Sequence, residues 1–357
     1  MSLPTVMSGV VLTGYGGLDC LEWRDDLPVP QVGPDDVLIR VAAAGVNNTD
    51  INTRTGWYAK SVTAATSDDV RPAIGEDGTW SGDTLTFPHI QGADCCGHIV
   101  AVGDNISADR IGQRVLTRTM RNTTQPDGTN KVVTQGSETQ GAFAQYMAAP
   151  SFDAITVAAD WTDIELASIP CAYTTAEGML ARCNLGAETV LITGASGGVG
   201  SALIQLAKRR GATVTAVTQA DKAAALQDIG ADHTLDHDAP LPENHYDVVL
   251  DLVAGARFPD LLDALKPQGR YVTSGAIAGP MVTLDVRTLY LKDLTLIGST
   301  AQPAHILPAI VSYIAAGTLK PLVSAVFPLN DIAAAQQAFM AKTLIGKIVL
   351  DVTRPAP

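Results

Sequence analysis

From residue 9 to 157 the apolar residues fall in short β-branched runs, among them DDVLIRVAAAGV (35–46), CGHIVAVGDNI (96–106) and IGQRVLTRTM (111–120). Gly, Pro, Asn and Asp break these runs, a pattern that predicts the strands of an all-β unit. From about residue 160 the pattern changes to apolar strands alternating with Ala- and Leu-rich helical stretches: TVLITGAS, SALIQLAKRRG, TVTAVT, DKAAALQDIGA. That alternation predicts a parallel sheet wrapped by helices. Strand-like runs at 246–255, 269–279 and 293–300, with the helical-looking FPDLLDALKPQ between the first two, bring the sheet to six doubly wound strands. A helix is expected at 307–316. Beyond it, LVSAVFPL and GKIVLDV return to strand-like runs that should rejoin the N-terminal unit. The expected architecture is α/β, with one unit built from 1–157 and 320–357 and interrupted by a second unit of 158–319. Residues 59–87 are polar and rich in Gly and Thr, too long for a turn, and are expected to form a lid or a mobile excursion.

Composition narrows the function. Of 357 residues, 46% are hydrophobic and 17% charged, which argues for a compact enzyme-sized fold rather than disorder. A net charge of −13 would be repelled by a phosphate backbone or an anionic lipid surface, so nucleic acid and membranes are not expected partners. No apolar run approaches the roughly 18 residues needed to span a bilayer, and MSLPTVMSGV does not read as a secretory leader. The five cysteines are odd in number and scattered, with no CxxC pair, which suits a reducing compartment; the expected location is cytoplasmic.

The sharpest signal is VLITGASGGVGSALIQLAKRRGA (190–212), where a strand runs into a Gly-rich turn and then a helix. Ser196, Gly197, Gly198 and Val199 would face a pyrophosphate, with Gly197 and Gly200 allowing close backbone approach and the helix N-terminus offering unpaired N–H groups. The next strand ends at Thr218, a neutral residue, with Lys222 four positions on. A hydroxyl and a cation suit a 2′-phosphate, which favours NADP. Asp221 beside them could instead face a free ribose, so NAD is the alternative cofactor.

Five segments in order resemble the medium-chain dehydrogenase/reductase superfamily, and within it the zinc-free quinone oxidoreductases: AAAGVNNTDINTRTGWY (42–58), QGADCCGHIVAVG (91–103), GAFAQY (141–146), IPCAYTTAEGML (169–180) and GASGGVG (194–200). The resemblance implies a GroES-like β catalytic domain interrupted by a Rossmann domain, with the active site between them. Zinc-binding members hold their metal through a Cys, a His or acidic residue, and a further Cys or Asp. The matching positions here are Asn47, Ala93 and Cys171, with Asp94 adding an oxygen at best, and one thiolate cannot hold a tetrahedral ion. The stretch 118–140, where a structural zinc lobe would fall, has no cysteine. No zinc is expected. His233 and His237 stand four apart, but GADHTLDHDAP has turn composition and reads as a solvated loop.

By the same resemblance Asn47 lies against the nicotinamide and offers its amide to a substrate oxygen. Tyr58 matches a pocket tyrosine implicated in proton delivery in related enoyl thioester reductases; its plainer role is packing. Asp50 would cap the helical residues after the NNTD turn. Thr174, with Thr175 beside it, falls on the domain-junction helix near the cofactor or caps that helix. Val253, Ser274 and Gly275 end later strands on the carboxyl side, where doubly wound sheets bind ligands. Lys347 either approaches the cofactor or is an exposed strand residue. The strand at 294–299 matches the edge through which relatives pair into a homodimer. Without a metal, reduction of a quinone or an α,β-unsaturated carbonyl demands only positioning, donors to a developing oxyanion and a proton. The leading expectation is therefore a zinc-independent NADPH-dependent reductase of a small-molecule quinone or activated alkene. An enoyl thioester reductase is the runner-up, set back because the sequence shows no Lys/Arg cluster for a CoA. A zinc-type alcohol dehydrogenase and a non-catalytic NADPH-binding protein are the remaining alternatives.

Overall fold

Among the described residues, the alternating and continuous apolar runs of the first 157 positions fold as strands around one α-helix. In the computed structural model, which describes residues 3–66, 78–79, 85–125 and 127–354, β1 (Val6–Leu12) pairs antiparallel with β2 (Leu21–Pro28). Then come β3 (Asp36–Gly45), α1 (Asn48–Thr55), β4 (Cys96–Val102), β5 (Arg114–Thr117), the pair β6 (Met120–Thr124) and β7 (Asn130–Thr134), β8 (Tyr146–Pro150) and β9 (Ala154–Thr156). The excursion expected at 59–87 falls largely on 67–77 and 80–84, outside the described residues.

Helices α2 (Asp163–Ala167) and α3 (Pro170–Arg182) lead into the second sheet. It contains β10 (Thr189–Ile192), α4 (Gly198–Arg209), β11 (Thr213–Val217), α5 (Ala223–Asp228), β12 (His233–Leu235), β13 (Tyr246–Asp251), α6 (Phe258–Asp263), β14 (Leu265–Thr273), α7 (Val286–Leu291), β15 (Thr295–Gly298) and α8 (Ile306–Ala315). The six strands are parallel, in the order β12-β11-β10-β13-β14-β15. The order reverses between β10 and β13, the switch point outside which doubly wound sheets bind ligands. Val190, Ile192, Val214, Val248, Leu250 and Val272 pack one face of this sheet onto helical residues such as Leu203, Leu206 and Ile310. Leu191, Val249 and Tyr271 point the other way, against Phe258 and Leu261. Strands buried on both faces read as unbroken apolar runs, which is why these are Val- and Leu-rich throughout.

The chain then returns through β16 (Val323–Pro328), α9 (Ile332–Met340) and β17 (Lys347–Asp351). A seven-stranded sheet runs β16-β17-β3-β4-β5-β9, with β8 also paired to β3. Two registers in this sheet assemble one end of it. Val349 of β17 lies opposite Gly45 of β3, so Lys347 falls beside the residues that continue β3, and Ala43 lies opposite Cys96, which brings Asp94 to the same end.

Three expectations need correction. FPDLLDALKPQ is helical only as far as Asp263; strand β14 starts at Leu265, because Pro267 cannot sit in a helix interior and Gln268 takes φ 65. Residues 233–235 are not loop but the edge strand β12, with His233 paired to Thr215 and exposed. The C-terminal segment is not strands alone, since IAAAQQAFM forms α9 and buries Ile332, Ala335 and Gln336. Among the described residues, no helix is long and apolar enough to cross a membrane.

Candidate active site: a phosphate turn and a buried lysine nest

At the switch point β10 enters the turn at Gly194, and α4 begins at Gly198 with Gly197 as its N-cap. The first N–H groups of this helix have no intrahelical acceptor and face the turn, a ready site for an anion. A Cβ on Gly200 would lie 2.2 Å from the Gly194 carbonyl oxygen, so only glycine lets the helix seat this closely on the strand. Gly197, by contrast, has no such crowding and is exposed where a ligand would arrive.

The turn is braced from below by a group that the sequence pattern does not single out. Asp251, the last residue of β13, is fully buried. Its carboxylate accepts from Thr193 Oγ1, from Tyr271 Oη at 2.5 Å, and from the N–H groups of Val253 and Ala254. One carboxylate thus ties the carboxyl ends of β10, β13 and β14 together and holds Ala254 at φ 55, a conformation that L residues rarely adopt. Val253, Ser274 and Gly275 lie in the loops beyond these strand ends. The available signal was an acidic residue closing the apolar run YDVVLD.

Thr218 follows β11, buried, and its Oγ1 has no hydrogen-bond partner. Lys222 is also buried, and its ammonium donates to the Lys342 carbonyl at 2.6 Å. Asp221 is exposed.

The second half of the site lies where β3, β4 and β17 end together. Lys347 is 3% exposed and Asp94 0%. The Lys347 ammonium donates to Asp94 Oδ2 at 2.8 Å, to Asn47 Oδ1 at 2.5 Å and to the Val46 carbonyl at 2.9 Å. Asn47 Nδ2 donates to the same Asp94 oxygen at 2.8 Å and to the Gly45 carbonyl at 3.3 Å, while Asp94 Oδ1 accepts the Cys171 N–H at 2.6 Å. Asn47 therefore has neither amide hydrogen free in this arrangement, contrary to the expectation of a donor poised for substrate. Lys347 is a buried cation of the nest, not an exposed strand residue.

Asp50 caps in reverse of the expectation: Asn47 is the N-cap of α1, and Asp50 Oδ2 accepts its N–H at 2.8 Å. Burial pushes the Asp50 carboxyl up to about 7 and the Cys171 thiol up to about 12. Tyr58 stacks edge-on against Trp57 and hydrogen-bonds Thr49 and Asn52; burial raises its phenol well above its ordinary range, so it holds its proton at neutral pH. Thr174 does not cap α3: within the helix, Oγ1 donates back to the Pro170 carbonyl, which leaves its lone pairs as acceptors.

The donor set does not suit zinc. Asn47 and Ala93 are not zinc ligands, and both Asp94 oxygens already accept from N–H groups. Among the described residues, no three His, Cys, Asp or Glu side chains gather as ligands would. The Gly-rich turn and the unpaired N–H groups at the start of α4 do fit a nicotinamide dinucleotide.

Comparison with known proteins agrees with this architecture. Residues 33–159 match the alcohol dehydrogenase GroES-like domain, and residues 229–350 match the zinc-binding dehydrogenase family. A putative alcohol dehydrogenase from Sinorhizobium meliloti 1021 has a solved structure that superposes with a TM-score of 0.87 at 44% identity, over 98% of this chain and 97% of that one. Human quinone oxidoreductase is 26% identical over 97% of this chain and 98% of its own length. Acryloyl-coenzyme A reductase of Metallosphaera sedula is 26% identical over 96% and 99%. The chain belongs to the medium-chain dehydrogenase/reductase superfamily, in its quinone oxidoreductase-like branch. It is an NAD(P)H-dependent oxidoreductase.

Proposed function

We propose that this enzyme is a zinc-independent, NADPH-dependent reductase of quinones or α,β-unsaturated carbonyls. The observation that carries the reading is the Lys347–Asp94–Asn47 nest, in which the side chains at metal-ligand positions are committed to an internal ammonium. When bound, the reduced nicotinamide supplies a hydride to an electron-poor carbon, and the acceptor oxygen gains the electron pair and then a proton. The chain's own part is to exclude water, orient the acceptor and deliver that proton. Tyr58 carries a proton throughout the neutral range, and its hydroxyl is set by Thr49 and Asn52. NADPH is favoured over NADH by the neutral, unpartnered Thr218 and by Lys222, whose ammonium has two hydrogens beyond the one given to Lys342.

A specific observation supports a second reading, an enoyl thioester reductase. The folded chain joins two lysines that stand far apart along the sequence: Lys222 reaches the Lys342 carbonyl, and Lys342 reaches Asn48 Oδ1. Such a corner suits the phosphates of a CoA as well as those of a dinucleotide.

The working form is a homodimer joined through β15. That strand ends the six-stranded sheet with one edge unpaired among the described residues, and Leu296, Met281, Val286, Tyr290 and Leu291 are exposed around it. The five free cysteines are in keeping with a cytoplasmic location. The test of the reading is NADPH and NADH oxidation against quinones, enones and CoA enoyl thioesters. Faster turnover with NADPH on quinones or enones is expected. A preference for CoA thioesters selects the second reading, and tight NADPH binding without turnover on any acceptor overturns both.

A further inference from the structure

Lys347 is anchored over one anion site while its charge is committed to another. Its loop rests on the phosphate turn, where the Gly346 N–H donates to the Ser196 carbonyl at 2.9 Å and Gly197 bridges Gly346. Its stem crosses the start of α4, so that a Cβ on Gly198 would lie 2.7 Å from Lys347 Cδ and 3.3 Å from Cγ. The ammonium then turns away from the helix into the nest, where all three of its hydrogens are used. A four-carbon stem pivoting over Gly198 lets the same ammonium reach either the nest or an anion seated on the helix N-terminus.

The same contact locks Asn47. With Oδ1 on an ammonium, the amide cannot turn over, because the flip would set its NH2 group against another donor. Both amide hydrogens therefore stay on Asp94 and Gly45 for as long as Lys347 stays in the nest. Withdrawing Lys347 would not strand the Asp94 carboxylate, which keeps the Cys171 N–H and Asn47 Nδ2 as donors.

We infer that Lys347 is a positioning residue shared between two anions, Asp94 in the free enzyme and the dinucleotide diphosphate in the loaded one. Asp94 is then an internal competitor of the cofactor. This rests on the reading that a nicotinamide dinucleotide occupies the turn.

The test is equilibrium titration of the full chain with NADPH, followed by its fluorescence, in a double-mutant cycle of Asp94→Asn and Lys347→Met. Asp94→Asn is expected to tighten NADPH binding by roughly three- to tenfold while lowering the melting temperature of the free protein, since a competing contact is lost. In the Lys347→Met background the same change should leave affinity unaltered. Equal tightening in both backgrounds would mean simple charge removal, and no tightening would mean no competition; either result overturns the inference. Should Asp94→Asn fail to fold, Asn47→Ala replaces it in both backgrounds with the same expected direction and no change of charge. Failure of the wild type to bind NADPH or NADH would instead sink the cofactor reading itself.

Discussion

Asp50 is a carboxyl buried without a full counter-charge, and its titration is predictable. Its side chain is 2% exposed, accepts the Asn47 N–H, and has its pKa pushed to about 7 chiefly by desolvation. The folded state thus holds this proton more tightly than the unfolded chain does. Its contribution favours folding below the ordinary carboxylate range and is lost as pH rises through about 7, at up to about 1.4 kcal/mol per pH unit between the two. Asn at this position keeps the acceptor and removes the charge. Asp50→Asn should therefore gain melting temperature relative to wild type as pH is raised from about 5 to about 8; parallel melting curves would show that the carboxyl does not titrate there. Tyr58→Phe should lower kcat by roughly a hundredfold or more with dinucleotide affinity unchanged, the size of a lost proton donor, whereas an unaltered kcat would leave Tyr58 as packing against Trp57. The sequence marks Asn47, Tyr58 and Lys347 for attention because they stand at positions with chemistry in relatives. It does not show what Asp94 and Asp251 do, because the role of a buried carboxylate depends on donors such as Lys347 and Tyr271 that lie far along the chain. As a helix cap Thr174 misleads for a related reason, since a hydroxyl inside a helix donates to the carbonyl one turn back.

Among the elements, the strand, turn and helix from β10 through α4 are the most legible, because the Gly-rich turn and the change of apolar period fall together within 190–212. Gly200→Ala should abolish dinucleotide binding and lower stability, since a Cβ 2.2 Å from the Gly194 oxygen must push α4 off β10; calorimetry showing normal binding would contradict the close seating. Tyr271→Phe removes one of the donors to Asp251 and should cost about 1–3 kcal/mol in denaturant unfolding. A neutral result would mean that the remaining donors suffice. Element boundaries are less legible where local and long-range signals conflict. The run 258–268 looks helical by its apolar spacing, yet Pro267 and pairing with β13 turn its second half into β14. α9 escapes notice because its alanines carry little periodic contrast, and its burial against the returning sheet is what stabilises it.

For the whole molecule, the decisive fact is that the active site has no single address in the chain. Asn47, Asp94, Cys171 and Lys347 meet only because β17 returns to β3 after the entire six-stranded sheet has been threaded. That closure is legible as a late return to strand-like sequence, but the contact of Lys222 with Lys342 is not, since the two stand 120 residues apart on a chain of net charge −13. The exposed apolar rim of β15 and α7 makes a prediction at this scale: the protein should elute as a dimer in light-scattering chromatography, and Leu291→Glu with Leu296→Glu should give a folded monomer. A monomeric wild type would contradict the pairing. The most direct test of the central claim is NADPH oxidation by protein freed of metal with a strong chelator, using a quinone and an enone as acceptors. Turnover equal to that of untreated protein is predicted, because Asn47, Ala93 and the internally bonded Asp94 offer zinc no ligand set. Activity that disappears on chelation and returns with added zinc would contradict it.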